Sequence, residues 1–263
     1  MRVYFEIGRR GYRRWAAYPA ATWAGVFTNV VFGLMRGSVL LALYEHRGEV
    51  GGYDASAALT YNWLLQALIA AVAIWGWREL AERIRGGDIA IDLARPLDPQ
   101  LAGLASDLGR AVHQVVFRGL PPLLIGAALF DLALPDGPLA VIAFLLSVAL
   151  AVCVSYAFRF LANLAAFWLV DARGVLLLST IVVTLFSGFV VPVGFFPDWL
   201  AAVAYATPFP AMAQIPIDVF VGAVSGAGVA GALAAQAAWL VALLGAGRAL
   251  FAAGVRRLVV QGG

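Results

Sequence analysis

The chain has 263 residues, of which 63% are hydrophobic and only 13% charged, with a formal net charge of +3. A soluble domain carries about 25% charged residues and a disordered chain is poor in apolar ones, so both classes are excluded. The composition is that of an integral membrane protein, in which each helical crossing takes about 20 mostly apolar residues.

All 18 basic residues are arginine. A Walker phosphate loop needs a lysine, so the chain carries no standard P-loop ATPase. The single cysteine, Cys153, excludes an intrachain disulfide and a cysteine-rich metal site.

Residues 1–17 interleave Arg2, Arg9, Arg10, Arg13 and Arg14 with Tyr4, Phe5, Ile7, Tyr12 and Trp15. This pattern fits an amphipathic helix lying in the membrane interface, or a plain positive flank. The apolar stretch that follows, from Tyr18 to Tyr44, is far longer than the core of a signal peptide. Residues 18–263 read as one transmembrane domain with spans at 18–43, 57–77, 111–134, 138–158, 174–195 and 228–248. Fifteen of the arginines flank one side of this topology. The 44–56 loop on the other side holds only Arg47. By the positive-inside rule both termini are cytoplasmic and the number of spans is even.

The 78–110 loop is the largest cytoplasmic connection. Arg78–Arg85 has helix-forming composition and is expected to continue the second span until Gly86-Gly87 breaks it. Ile89, Ile91 and Leu93 then alternate with Ala90, Asp92 and Ala94. Asp98 with Pro99 has the form of an N-cap followed by the first helical residue. The element is either a connecting turn or a docking element for a soluble partner. Segment 196–227 lies outside by charge, yet it is apolar and broken by Pro197, Pro208, Pro210 and Pro216. Short re-entrant or interfacial helices carrying Phe196, Trp199 and Phe209 fit it, provided that their backbone is buried or lines a wet cavity. Small residues crowd the sixth span, and Gly222 and Gly226 stand at GxxxG spacing just before it, which points to close helix approach.

Catalytic constellations are missing. His46 and His113 fall on opposite faces, and no HExxH occurs. Ser187-Gly188 has no later histidine to serve it. Paired aspartates within separate spans are not expected, since Asp131 falls at the outer end of span 3 and Asp171 in a cytoplasmic connection. This counts against a carrier coupled to protons or sodium. Arg36, in the outer half of span 1, is either a snorkelling or ion-paired residue or part of a pathway. Arg118, before Gly119 and Pro121-Pro122, reads as a snorkel beside a helix kink. Thr28 and Asn29 in span 1, with Thr60, Tyr61 and Asn62 in span 2, either line a cavity or make interhelical hydrogen bonds.

Two motifs then combine with this topology. The loop between spans 2 and 3 runs Glu82-Arg83-Ile84-Arg85-Gly86-Gly87-Asp88-Ile89-Ala90-Ile91-Asp92-Leu93-Ala94-Arg95-Pro96-Leu97. Span 5 leaves through Ser187-Gly188-Phe189-Val190-Val191-Pro192, followed by Phe196-Pro197 and Thr207-Pro208-Phe209. The chain resembles the permease subunits of ABC-2 type transporters over essentially its whole length, in particular the bacterial group that includes viologen-exporter-like systems. The resemblance implies an all-α fold with six transmembrane helices in a bacterial inner membrane. It implies export of a hydrophobic or amphipathic molecule by alternating access; the alternative is a secondary carrier or channel without an ATPase. It also implies that Arg85, Asp88, Ile89, Ile91, Asp92, Leu93, Arg95 and Pro96 form a coupling element against an ATP-binding cassette subunit. Two copies of that subunit would hold ATP and magnesium, while this chain binds no cofactor, metal or nucleic acid and has no catalytic residues. A second permease, identical or paralogous, would complete the pathway within membrane lipid. Asn29, Arg36, Tyr61, Asn62, Ser187 and Pro192 are the pathway candidates.

Overall fold

The computed structural model describes residues 2–75 and 77–257, and every regular element among them is a helix. Gly76, inside the expected second span, and 258–263, the end of the expected permease domain, lie outside the described residues.

Helix α1, Arg2–Ala16, lies along α6, Pro99–Gln114. Their backbones touch through glycines. A Cβ on Gly11 would run into the Ser106 carbonyl, and one on Gly109 into the Gly8 carbonyl. Pro19 starts α2, Pro19–Tyr44, where its missing N–H costs nothing. Asp54 caps α3, Ala55–Val72, by accepting the Ala57 N–H at 2.8 Å. Helix α3 is the axis of the fold, with most of its side chains buried all round.

Helix α3 does not continue to Arg85. It stops at Val72, and Ala73 turns the chain with a left-handed φ of 54°. The predicted extension is instead a separate helix, α4, Glu79–Gly86, closed by Gly87 at φ 83° and followed by the one-turn α5, Ile89–Leu93. Asn163 holds the start of this hairpin. Its Oδ1 accepts the Ala81 N–H at 3.0 Å and its Nδ2 donates to the Trp77 carbonyl at 3.1 Å.

Asp98 caps α6 as expected, accepting the Gln100 and Leu101 amides at 2.9 and 3.0 Å. Helix α6, a π-helical turn at Val115–Gly119 and α7, Leu120–Leu129, form one 31-residue rod, so the third apolar segment starts near residue 99 rather than 111. Helix α8, Gly137–Asn163, ends in a 3-10 turn, Leu164–Phe167. Helix α9, Arg173–Phe186, has 14 residues, about 21 Å of rise. It ends short of residue 195 because Gly188 takes φ 86° and Pro192 cannot continue a helix. Segment 196–227 folds as α10, Asp198–Tyr205, a 3-10 turn at Pro210–Met212 and α11, Gln214–Val221. Gly222 and Gly226 both have positive φ in the following turn, so they shape a loop and not a helix seam. Helix α12, Ala227–Val255, packs along α8.

Five of these rods are long and apolar enough to cross a membrane. Phe27, Leu134, Leu139 and Val241 are more than 70% exposed, an outward apolar surface that water would not tolerate and lipid would. The main core gathers α3, α8, α11 and the turn before α11. A second cluster, of Ile84, Ile89, Tyr156, Phe160 and Leu164, fixes the α4–α5 hairpin to α8.

Candidate functional site

On α2 the small residues Gly25, Asn29, Gly33 and Gly37 recur every fourth position, and all four are buried. That stripe lets α2 lie close to α3 and α7. Gly33 faces the Trp63 ring and Gly25 the Arg118 side chain, with no room for a Cβ at either place. Two amides tie the helices, Asn29 Nδ2 to the Gln66 carbonyl and Asn62 Nδ2 to the Gly33 carbonyl, both at 2.9 Å. Above and beside this seam the helices part around a cavity of about 910 Å³.

Five pathway candidates, Asn29, Arg36, Tyr61, Asn62 and Pro192, line the cavity together with Thr28. Ser187 does not. It is fully buried, with its carbonyl accepting the Gln214 N–H at 3.0 Å. One boundary of the cavity is the turn after α9. Arg36 donates to the Phe189 carbonyl at 3.0 Å and to the Val190 carbonyl at 2.6 Å, and Phe195 closes that end. Arg36 therefore pairs with no carboxylate among the described residues; it anchors the turn and faces the cavity at once.

Behind the turn lies a buried polar network. Gln214 Oε1 accepts from Tyr61 Oη and the Val193 N–H, both at 2.8 Å. Its Nε2 donates to Tyr53 Oη at 2.6 Å and to Asp218 at 2.8 Å, while Tyr53 Oη donates to Asp218. Phe209 packs inward against Phe158 and Phe186. Trp199 is 68% exposed on α10, and Phe196 and Pro197 join α10 to the turn.

The opposite boundary holds the largest departure from the sequence expectation. Arg110 and Arg159, expected in cytoplasmic connections, are buried about Asp107. Arg110 Nε and one Arg159 terminal nitrogen each donate to Asp107 at 2.7 Å. Arg110 also donates to the last-turn carbonyls of α3, Ala70 at 2.5 Å and Ala71 at 2.6 Å, where the helix dipole favours a cation. Trp77 lies against both guanidinium groups, 5.4 Å from Arg110 and 4.7 Å from Arg159. Buried aspartates thus do occur, at 107 and 218. The Asp107-x-x-Arg110 spacing was the available signal for the first, and Gln214-x-x-x-Asp218 for the second. Arg118 projects from the π-helical turn against Gly25 and into the cavity, not toward a helix end.

The α4–α5 hairpin hangs from this second boundary through Trp77 and Asn163. Ile89 is fully buried in the chain's own core and is not free to meet a partner. Ile91 and Leu93 are exposed, as are Arg85, Asp88, Arg95 and Pro96. Asp92 pairs with Arg83 at 2.5 Å and faces Arg95 at 3.9 Å, which stiffens the tip.

An all-helical body with several apolar rods, a cavity between them and a hairpin hung from one end of that cavity has the build of a multi-pass membrane protein. Its family is equally plain: the model for ABC-2 family transporter proteins matches residues 33–262, and the chain belongs to that family as an ABC transporter permease. No curated protein matches it.

Proposed function

We propose that the chain is the permease subunit of an ATP-driven exporter, moving a hydrophobic or amphipathic molecule by alternating access. The observation that carries this reading is the hairpin: α5 presents Ile91 and Leu93 outward, while Ile89 roots it beside the Asp107 triad that bounds the cavity. Two ATP-binding subunits, holding ATP and magnesium, would grip α5 of this chain and of a second permease. Their closure would push on α4, and through Trp77 and Asn163 on α8, α6 and the inner end of the cavity. Helix α9, about 21 Å long, together with the turn held by Arg36, would complete a sixth crossing, with both termini in the cytoplasm. Helix α1 would lie in the interface, and the 196–227 segment would re-enter from outside. The alternative, a carrier working without an ATPase, would be served by a carboxylate in the cavity, and among the described residues none lines it.

The test is the double substitution Ile91→Asp, Leu93→Asp, which alters only exposed side chains. An ATP-binding protein should co-purify with the wild-type chain from its native membrane and be lost from the variant, with the variant's thermal melt unchanged. Equal co-purification of that protein by both chains would sink the coupling role.

A further inference from the structure

We propose that the cavity selects an anionic amphiphile, with Arg118 as the contact for its oxyanion headgroup. The inference rests on the exporter reading for its transport meaning, but not for the binding itself.

The charges around the cavity are one-sided. Arg36, Arg110 and Arg118 line it, and among the described residues no aspartate or glutamate does. The three arginines differ in what they already hold. Arg110 is engaged through all three nitrogens by Asp107 and two carbonyls. Arg36 is held by two carbonyls. Arg118 has no hydrogen-bond partner among the described residues, and its Nε is buried and unpaired. A guanidinium in low-dielectric surroundings without an acceptor is costly, and a phosphate, sulfonate or carboxylate accepts its planar fork of donors in bidentate fashion.

A second unpaired group lies beside it. Gln114 sits one turn before Arg118 and is 2% exposed. It lines the cavity, yet its Oε1 has no partner. That oxygen is an acceptor, so it would take a hydroxyl of the headgroup while Arg118 holds the charged oxygens. The volume of about 910 Å³ is at the upper end for small-molecule sites. Phe32 and Met35 of α2 give it an apolar wall between Arg118, which packs at Gly25, and Arg36, and Val39 extends that wall beyond Arg36. Eleven residues of helix separate Gly25 from Arg36, about 16 Å, room for an acyl or aromatic body above the headgroup. A cation would meet three like charges. The tryptophan face best placed to receive one, Trp77, is already covered by Arg110 and Arg159.

The test reads binding without ATP. Trp15, Trp75 and Trp77 line the cavity, so the intrinsic fluorescence of the purified chain in phosphatidylcholine nanodiscs reports occupancy. Dodecyl phosphate should bind about tenfold or more tighter than dodecyltrimethylammonium, the worth of one charge-assisted hydrogen bond. Arg118→Gln should abolish that preference and Arg118→Lys keep it. Competition by inorganic phosphate would identify a free oxyanion as sufficient, and competition by phosphatidylglycerol placed in the disc would identify a lipid headgroup; both support the anion pocket and separate its sources. Equal or tighter binding of the ammonium probe by the wild-type chain overturns it, as does an Arg118→Gln protein that keeps the full preference. Loss of the pocket would leave the co-purifying ATPase untouched, and absence of an ATPase would leave the anion preference untouched, so the two readings fail separately.

Discussion

Asp107→Asn keeps the shape of the side chain and removes the one negative charge between two buried guanidinium groups. The local charge rises from +1 to +2. Both contacts are 2.7 Å, and Asp107 is 3% exposed. A hydrogen bond to a charged group contributes about 1.5–3 kcal/mol, and breaking one side of a buried pair costs about 3–5 kcal/mol. Asparagine retains one acceptor oxygen, which favours the lower figure, about 3 kcal/mol, or a fall in Tm of roughly 6–12 °C for a chain of this size. The assay is built into the protein. Cys153 is the single thiol, partly covered on α8, so a fluorogenic maleimide reports its exposure on heating. Arg159→Gln in the same chain as Asp107→Asn returns the local charge to +1. The double variant should therefore recover about 1–2 kcal/mol relative to the sum of the single losses. A melt of Asp107→Asn within about 2 °C of wild type, or strict additivity in the double variant, would refute the triad as a stabilising unit.

Arg36→Gln removes the donors to the Phe189 and Val190 carbonyls, so amide exchange across 188–193 should quicken by about tenfold or more; unchanged protection there would contradict the anchor. Gln214→Leu leaves Asp218 without its amide donor and the buried Val193 N–H without its acceptor, while Tyr61 keeps the Gly188 carbonyl, and it should cost about 2–3 kcal/mol in the same melt. Trp63→Ala opens a void between Gly33 and Gly126 and should cost about 3–5 kcal/mol; a silent variant would mean that the α2–α3–α7 junction is not packed as described.

Much of this architecture was legible because membrane chemistry writes itself into composition. Apolar runs located most of the long rods, and Asp98-Pro99 marked the start of α6 correctly because a cap acts within a few residues. What failed was depth. Counting arginines along the chain treats each as a solvated flank, and Arg110 and Arg159 were counted so; their burial depends on Asp107 and Trp77 arriving from other segments. The end of α3 was hidden for a related reason. Ala73 has no local breaker, and its left-handed turn follows from where α4 is tethered by Asn163. Arg36 stood out by its position, but its partners lie more than 150 residues away. Ser187 has the right chemistry and points the wrong way, which no local pattern encodes.

The glycine contact between α1 and α6 bears on how the protein is made. Helix α1 is synthesised well before the backbone it seats against, at Ala105, Ser106 and Gly109. Its glycine seat does not exist until α6 has been made. An early segment is thus among the later ones to find its place, and its docking records that the helix after the hairpin has formed.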